Sequence, residues 1–299
     1  AYLFAFFGMI GGLPAVQSNQ MVQIISEFAL PILSFDNQLV FNMMCGLIIA
    51  VLAGTVIIGG LTRIAKASSW LVPIMGGLYV LTATFILIAN FEDVPNVIKI
   101  IFSDAFTGTS VAGGTLMGVI MYGIQRGAFS NEAGIGTEAL IHGTAKTNSP
   151  IKQGFVAMIG PIFDTLLICT ATAVVIILSG LWVGDQYSGV SLTAMAFQTF
   201  LGSAGIAVVF LCVVFFGIST IFTYSYYGSV CARFLFGPKG QKIYLYIFIA
   251  TIIFFASISL DSAINIIDGS FAMMAIPTLI SSIILGPKVI VEANKFLAR

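Results

Sequence analysis

Apolar runs of about twenty residues recur along this chain, and a run of that length spans a bilayer as an α-helix. Eight are read, over residues 2–25, 39–60, 70–90, 112–142, 155–178, 204–230, 243–260 and 270–290. Hydrophobic residues make up 59% of the 299 and charged ones only 8%, against roughly 25% charged in soluble domains. The reading is an all-α polytopic membrane protein. With no net charge and no basic cluster beyond short loops, nothing favours nucleic-acid binding. Cys45, Cys169, Cys212 and Cys231 fall within or at the edges of apolar runs, so they read as packing residues rather than a disulfide framework. Residues 96–106 predict a shorter amphipathic helix at the interface.

Basic residues test this count independently, because positively charged loops stay cytoplasmic. Arg63 and Lys66 follow the second run, Lys146 and Lys152 the fourth, Arg233, Lys239 and Lys242 the sixth, and Lys288, Lys295 and Arg299 the last. Lys99 alone falls on the other side, beside Glu92, Asp93 and Asp104, and Arg126 lies inside a run. That distribution predicts both ends of the chain in the cytoplasm. The sequence opens on Ala1, inside an apolar segment, which predicts that it begins within a longer protein.

Two runs carry polar groups that a lipid-facing helix does not tolerate. In the fourth, Arg126-Gly-Ala-Phe-Ser-Asn-Glu-Ala-Gly-Ile-Gly136 places a cation, a carboxylate and three glycines at membrane depth. A charge at mid-bilayer costs about 3 kcal/mol on insertion scales, and unwound backbone there needs cover from protein or an aqueous cavity. A helix broken around Gly127, Gly134 and Gly136 is therefore expected, with backbone amides and carbonyls of 130–136 exposed to a site. In the sixth run, Ser219 and Thr223 share one helix face and Thr220 and Tyr224 another. Hard cations take oxygen ligands, and Ser219 and Thr220 can supply two, unless both hydroxyls back-bond to carbonyls one turn earlier. In the first run Pro14, Gln17, Asn19 and Gln20 predict a kinked or ligand-lining segment.

The long motif from Arg126 to Gly136, continued by His142, Ala145-Lys-Thr147 and Gln153-Gly154, resembles the signature region of the alanine or glycine:cation symporter family, also called sodium:alanine symporters. Asp164-Thr165, Ser219-Thr220, Ser225-Tyr-Tyr-Gly228, Ser259-Leu-Asp261 and Met274-Ala-Ile-Pro277 continue it in the family's order. The resemblance implies a LeuT-type inverted-repeat fold of the APC superfamily. The chain would correspond to core helices 3 to 10, with residues 1–110 holding the last three helices of the first repeat and 111–299 the second five-helix repeat. It further implies sodium-coupled symport of small neutral amino acids, alanine or glycine, by alternating access across a bacterial inner membrane, with sodium, or else a proton, as coupling ion and no other cofactor.

Carried onto this sequence, the resemblance points to Gln17, Asn19, Ser130, Asn131, Glu132, Thr220 and Tyr224 as substrate contacts and to Ser219 and Thr220 as cation ligands. Gln17 and Asn19 match the family's Gln-x-Asn pattern, while Pro14 departs from the commoner turn before it. Many members carry Trp where this chain has Tyr224, which changes the volume left for a substrate side chain. Glu132 contacts substrate or cation, or else pairs with Arg126 or caps local amides. Asp164 senses protons or holds the cation, or is satisfied by a neighbouring Thr or amide. Asp261 and Asp268 are expected solvated around a short outer turn. Two other function classes stay open at this point: an intramembrane hydrolase using Ser130 or Ser219 with His142, and a non-transporting scaffold or sensor subunit.

Overall fold

The structure is a computed structural model that describes residues 1–33, 37–106, 116–184 and 186–298. Every element in it is helical: α1 Tyr2–Gly11, α2 Ala15–Leu33, α3 Gln38–Ile57, α4 Leu61–Ala89, α5 Val94–Phe106, α6 Leu116–Asn131, α7 Thr137–His142, α8 Pro150–Ser179, α9 Val190–Leu201, α10 Ser203–Phe255 and α11 Leu260–Leu297. Residues 112–115 of the predicted fourth run, and Arg299, lie outside the described residues.

Local sequence sets several boundaries. Asn37 starts α3 by accepting a hydrogen bond from the Val40 amide at 3.2 Å, and Ser259 starts α11 by accepting one from Ser262 at 3.4 Å, each satisfying an N–H that has no partner within its helix. Pro150 opens α8 where a missing N–H costs nothing. The predicted run 2–25 divides in two, because α1 ends at Gly11 and Pro14 directly precedes α2.

Among the described residues, five helices are long and apolar enough to cross a membrane: α3, α4, α8, α10 and α11. The eight predicted runs map unevenly onto these helices. The first run is two shorter helices, and the fourth is carried by α6 and α7, with 16 and 6 residues. The sixth and seventh runs are the two arms of α10, which is broken at a non-helical Gly237, φ 71°, followed by Pro238. Tyr244 beyond that break lies against Gly228 before it, so close that a Cβ on Gly228 would meet the Tyr244 hydroxyl at 1.9 Å. Contact between residues nine before and seven after Gly237 means that α10 doubles back on itself there.

The two arms of α10 together form the hub, touching α1, α2, α3, α4 and α9. One apolar core joins α2, α3, α10 and α11 through residues such as Met21, Ile49, Phe248 and Met274. A second gathers Ile24, Tyr79, Val175, Phe197 and Val209 from α2, α4, α8, α9 and α10. Large apolar side chains such as Leu81, Leu166 and Ile283 stand 69–77% exposed on the outside of α4, α8 and α11. That much apolar surface far exceeds what a water-soluble monomer presents and is the face a bilayer covers.

Candidate functional site

The polar segment of the fourth run is an interrupted helix. After α6 ends at Asn131, the Asn131 side-chain oxygen accepts the Ala133 amide at 2.9 Å, and Glu132 takes a left-handed φ of 56°. Gly134 and Gly136 follow at φ 83° and 100°, a region that side chains disfavour, and α7 begins directly after. Gly127 lies inside α6, so it plays no part in the break. The backbone is partly satisfied within the interruption, since Ile135 N–H donates to the Glu132 carbonyl at 3.2 Å. The Ile135 carbonyl in turn accepts the Thr278 hydroxyl of α11 at 2.9 Å.

Glu132 points inward. Its carboxylate accepts the Thr137 hydroxyl and lies near the Tyr224 hydroxyl, with the Gln17 side chain close to the same hydroxyl. Three residues singled out from sequence, on α2, the interruption and α10, thus converge, with Tyr224 itself only 4% exposed. Beside them is a cavity of about 220 Å³, walled by Ser68, Val72 and Met75 of α4, by Glu132, and by Phe216, Ser219, Thr220, Thr223 and Tyr224 of α10. Glu132 is the one charged residue in that lining.

Other predicted contacts are used elsewhere. Ser130 donates to the Asp164 carboxylate at 2.6 Å and Asn131 donates to the Thr165 hydroxyl at 2.9 Å, so both clip α6 to α8 instead of entering the cavity. They meet α8 where it widens into a π-helical stretch, Ile162–Cys169, directly after Pro161. Asp164 is satisfied by Ser130 at 2.6 Å and by its neighbour Thr165 at 3.4 Å. Asn19 donates to the Ile258 carbonyl at 2.6 Å and ties α2 to the turn before α11. Ser219 lines the cavity, but its hydroxyl back-bonds to the Phe216 carbonyl at 3.0 Å, and Thr223 does the same to Ser219 at 3.1 Å.

The electrostatics also depart from expectation. Arg126 pairs with Asp268, not with Glu132, and Gln125 adds a hydrogen bond to the same carboxylate at 2.8 Å. The Arg126 guanidinium further covers the Tyr122 ring at 5.0 Å from its centroid, a cation–π contact. Asp261 and Asp268 do not bracket a turn; both belong to α11, where Asp261 is exposed and Asp268 is 11% exposed. His142 meets the Gln153 side chain at 2.6 Å and neither Ser130 nor Ser219, so it is not within the reach that a base needs of a serine nucleophile. Among the described residues no three His, Cys, Asp or Glu side chains gather as metal ligands.

Sequence reasoning missed Ser68 and Thr137. Ser68 fell outside the predicted run 70–90 because Arg63 and Lys66 depress the local hydropathy, although α4 begins at Leu61. Thr137 carried a usable signal, standing one residue after the last glycine of the break.

Comparison with known proteins gives relatives of one kind. The chain is 38% identical over 250 residues to an uncharacterized transporter, YflA, of Bacillus subtilis, covering 82% of this chain and 53% of that protein. It is 34% identical over 301 residues to the sodium/alanine symporter AgcS of Methanococcus maripaludis, covering 98% and 64%. It is 33% identical over 271 residues to the probable sodium/glutamine symporter GlnT of Bacillus subtilis, covering 89% and 56%. The chain thus spans about half to two thirds of the length of these relatives. A sequence model of the sodium:alanine symporter family matches residues 1–299, and the chain belongs to that family of transporters.

Proposed function

We propose that this protein carries out cation-coupled symport of small neutral amino acids, alanine or glycine, with sodium as the coupling ion. The observation that carries the reading is the meeting of Gln17, Glu132 and Tyr224 at an interrupted helix beside a cavity of about 220 Å³. An amino acid is a zwitterion. The Glu132 carboxylate suits its ammonium end, the Gln17 amide can donate to its carboxylate, and the Tyr224 ring limits the side chain. Secondary transporters place substrate and ions where broken helices bring polar groups to mid-membrane. Symporters of alanine and of glutamine among the relatives, by name, favour a neutral amino acid.

The same reading assigns the LeuT-type inverted repeat, with residues 1–110 closing the first repeat and 111–299 forming the second. It sets the basic loops, and both ends of the chain, on the cytoplasmic side. Energetically one cation is enough: moving down about 100 mV it contributes about 2.3 kcal/mol, which corresponds to on the order of fortyfold accumulation. The test is uptake of radiolabelled alanine by the full-length protein in proteoliposomes, with and without an inward sodium gradient. Accumulation should require the gradient. Uptake indifferent to both sodium and pH gradients would refute cation coupling.

A further inference from the structure

The Ser68 hydroxyl is closed off from solvent and has no hydrogen-bond partner, yet it lines the cavity that holds Glu132 and Thr220. Leaving a buried hydroxyl unpaired is costly, and native structures keep such groups where water, an ion or a ligand completes them. Glu132 raises the same question from the opposite wall. Its carboxylate receives the Thr137 hydroxyl hydrogen bond, but the cation nearest in sequence, Arg126, is committed to Asp268. Charges withdrawn from water are ordinarily paired or bound to a cation. Thr220 completes the set, because its hydroxyl has no hydrogen bond to another described residue, whereas those of Ser219 and Thr223 are spent on carbonyls. A volume of about 220 Å³ holds about seven waters at their liquid volume, so a small cation fits with part of its hydration shell.

We infer that Ser68 of α4, with Glu132 and Thr220, forms an oxygen-lined site for a small cation, either sodium or the primary ammonium of an amino acid. Hydroxyl oxygens and a carboxylate are the ligands that hard cations prefer, and the three come from α4, α10 and the interruption, so a bound cation ties those parts together. This assignment rests on the transport reading, and it goes beyond it by making α4 a wall of the site and by replacing Ser219 with Ser68 as a ligand.

The experiment is Ser68→Ala in the full-length protein in proteoliposomes, titrating sodium at saturating alanine and alanine at saturating sodium. Loss of one ligand should raise a half-saturating concentration about fivefold. A rise for sodium identifies the coupling ion as occupant, and a rise for alanine alone identifies the ammonium group. No change in either overturns the site. Ser68→Thr keeps the oxygen and should stay within about twofold. Ser68→Cys keeps the volume but exchanges a hard oxygen for soft sulfur, and reads the same loss should the alanine variant be poorly folded. If the unaltered protein takes up no alanine, the transport reading fails. The site is then judged by thermal unfolding in sodium chloride against choline chloride: stabilisation by sodium that Ser68→Ala removes supports it, and equal curves overturn it.

Discussion

Gly136 and Gly134 occupy the same interruption with similar backbone angles, and they differ in what surrounds them. A Cβ at Gly136 would lie 2.5 Å from the Thr278 hydroxyl oxygen and 2.7 Å from the Phe4 ring. At Gly134 the nearest atom is a Leu279 methyl at 3.9 Å, an ordinary contact. Both Gly→Ala changes must force a side chain into positive φ, at about 1–3 kcal/mol. Only Gly136→Ala adds overpacking, about 1–3 kcal/mol more. It also displaces the hydroxyl that donates to the Ile135 carbonyl at 2.9 Å, which exposes a buried acceptor at about 1 kcal/mol. Gly136→Ala should therefore cost about 2–4 kcal/mol beyond Gly134→Ala. In domains of 150–250 residues each kcal/mol is about 2–4 °C in Tm, so unfolding of the purified proteins in one detergent, followed by intrinsic fluorescence, should separate them by several degrees. Equal Tm values, or a lower one for Gly134→Ala, would show that the Thr278 and Phe4 contacts do not constrain the break.

Two further outcomes follow from the polar contacts around it. Asp164→Ala and Ser130→Ala each remove one end of the same hydrogen bond, so their effects on stability should be non-additive by about 1 kcal/mol; a double-mutant cycle in Tm giving strict additivity would mean that this bond holds nothing in place. Arg126→Ala strands the Asp268 carboxylate, which is 11% exposed, and should cost about 2–3 kcal/mol, below the full value for a buried pair because Arg126 itself is 31% exposed. The double variant Arg126→Ala/Asp268→Ala should recover part of that loss, and a double variant less stable than the single one would contradict it.

Helical spans were legible because long apolar runs leave few alternatives at membrane depth. Their ends were less so, since α4 extends nine residues ahead of the predicted run through Arg63 and Lys66, which lower hydropathy without breaking a helix. The break inside α10 was legible, because Gly237 and Pro238 fall between the predicted runs 204–230 and 243–260, where the chain doubles back. Within the site, Gln17, Glu132 and Tyr224 stood out as rare polar groups in apolar surroundings. What the chain did not disclose was pairing. Ser130 and Asn131 directly precede Glu132 but face α8, because α6 ends at Asn131 and the left-handed φ of Glu132 turns the chain away from that face. Asp268 lies 142 residues from Arg126, a separation across which local pattern carries no information.

The wide turn in α8 has a consequence for how this helix serves two neighbours. A π-helical stretch accommodates an extra residue in an α-helix, and one residue corresponds to about 100° of rotation. The first turn of the stretch presents Asp164 and Thr165 to α6, while Thr172 beyond it meets Tyr79 of α4. The two halves of α8 are thus phased separately, like two keys cut on one shaft. Deleting a single residue from 162–169 would leave the helix long enough to cross the bilayer but turn one half by about 100° against the other, so that the chain could keep its grip on the interruption or on α4, and not on both.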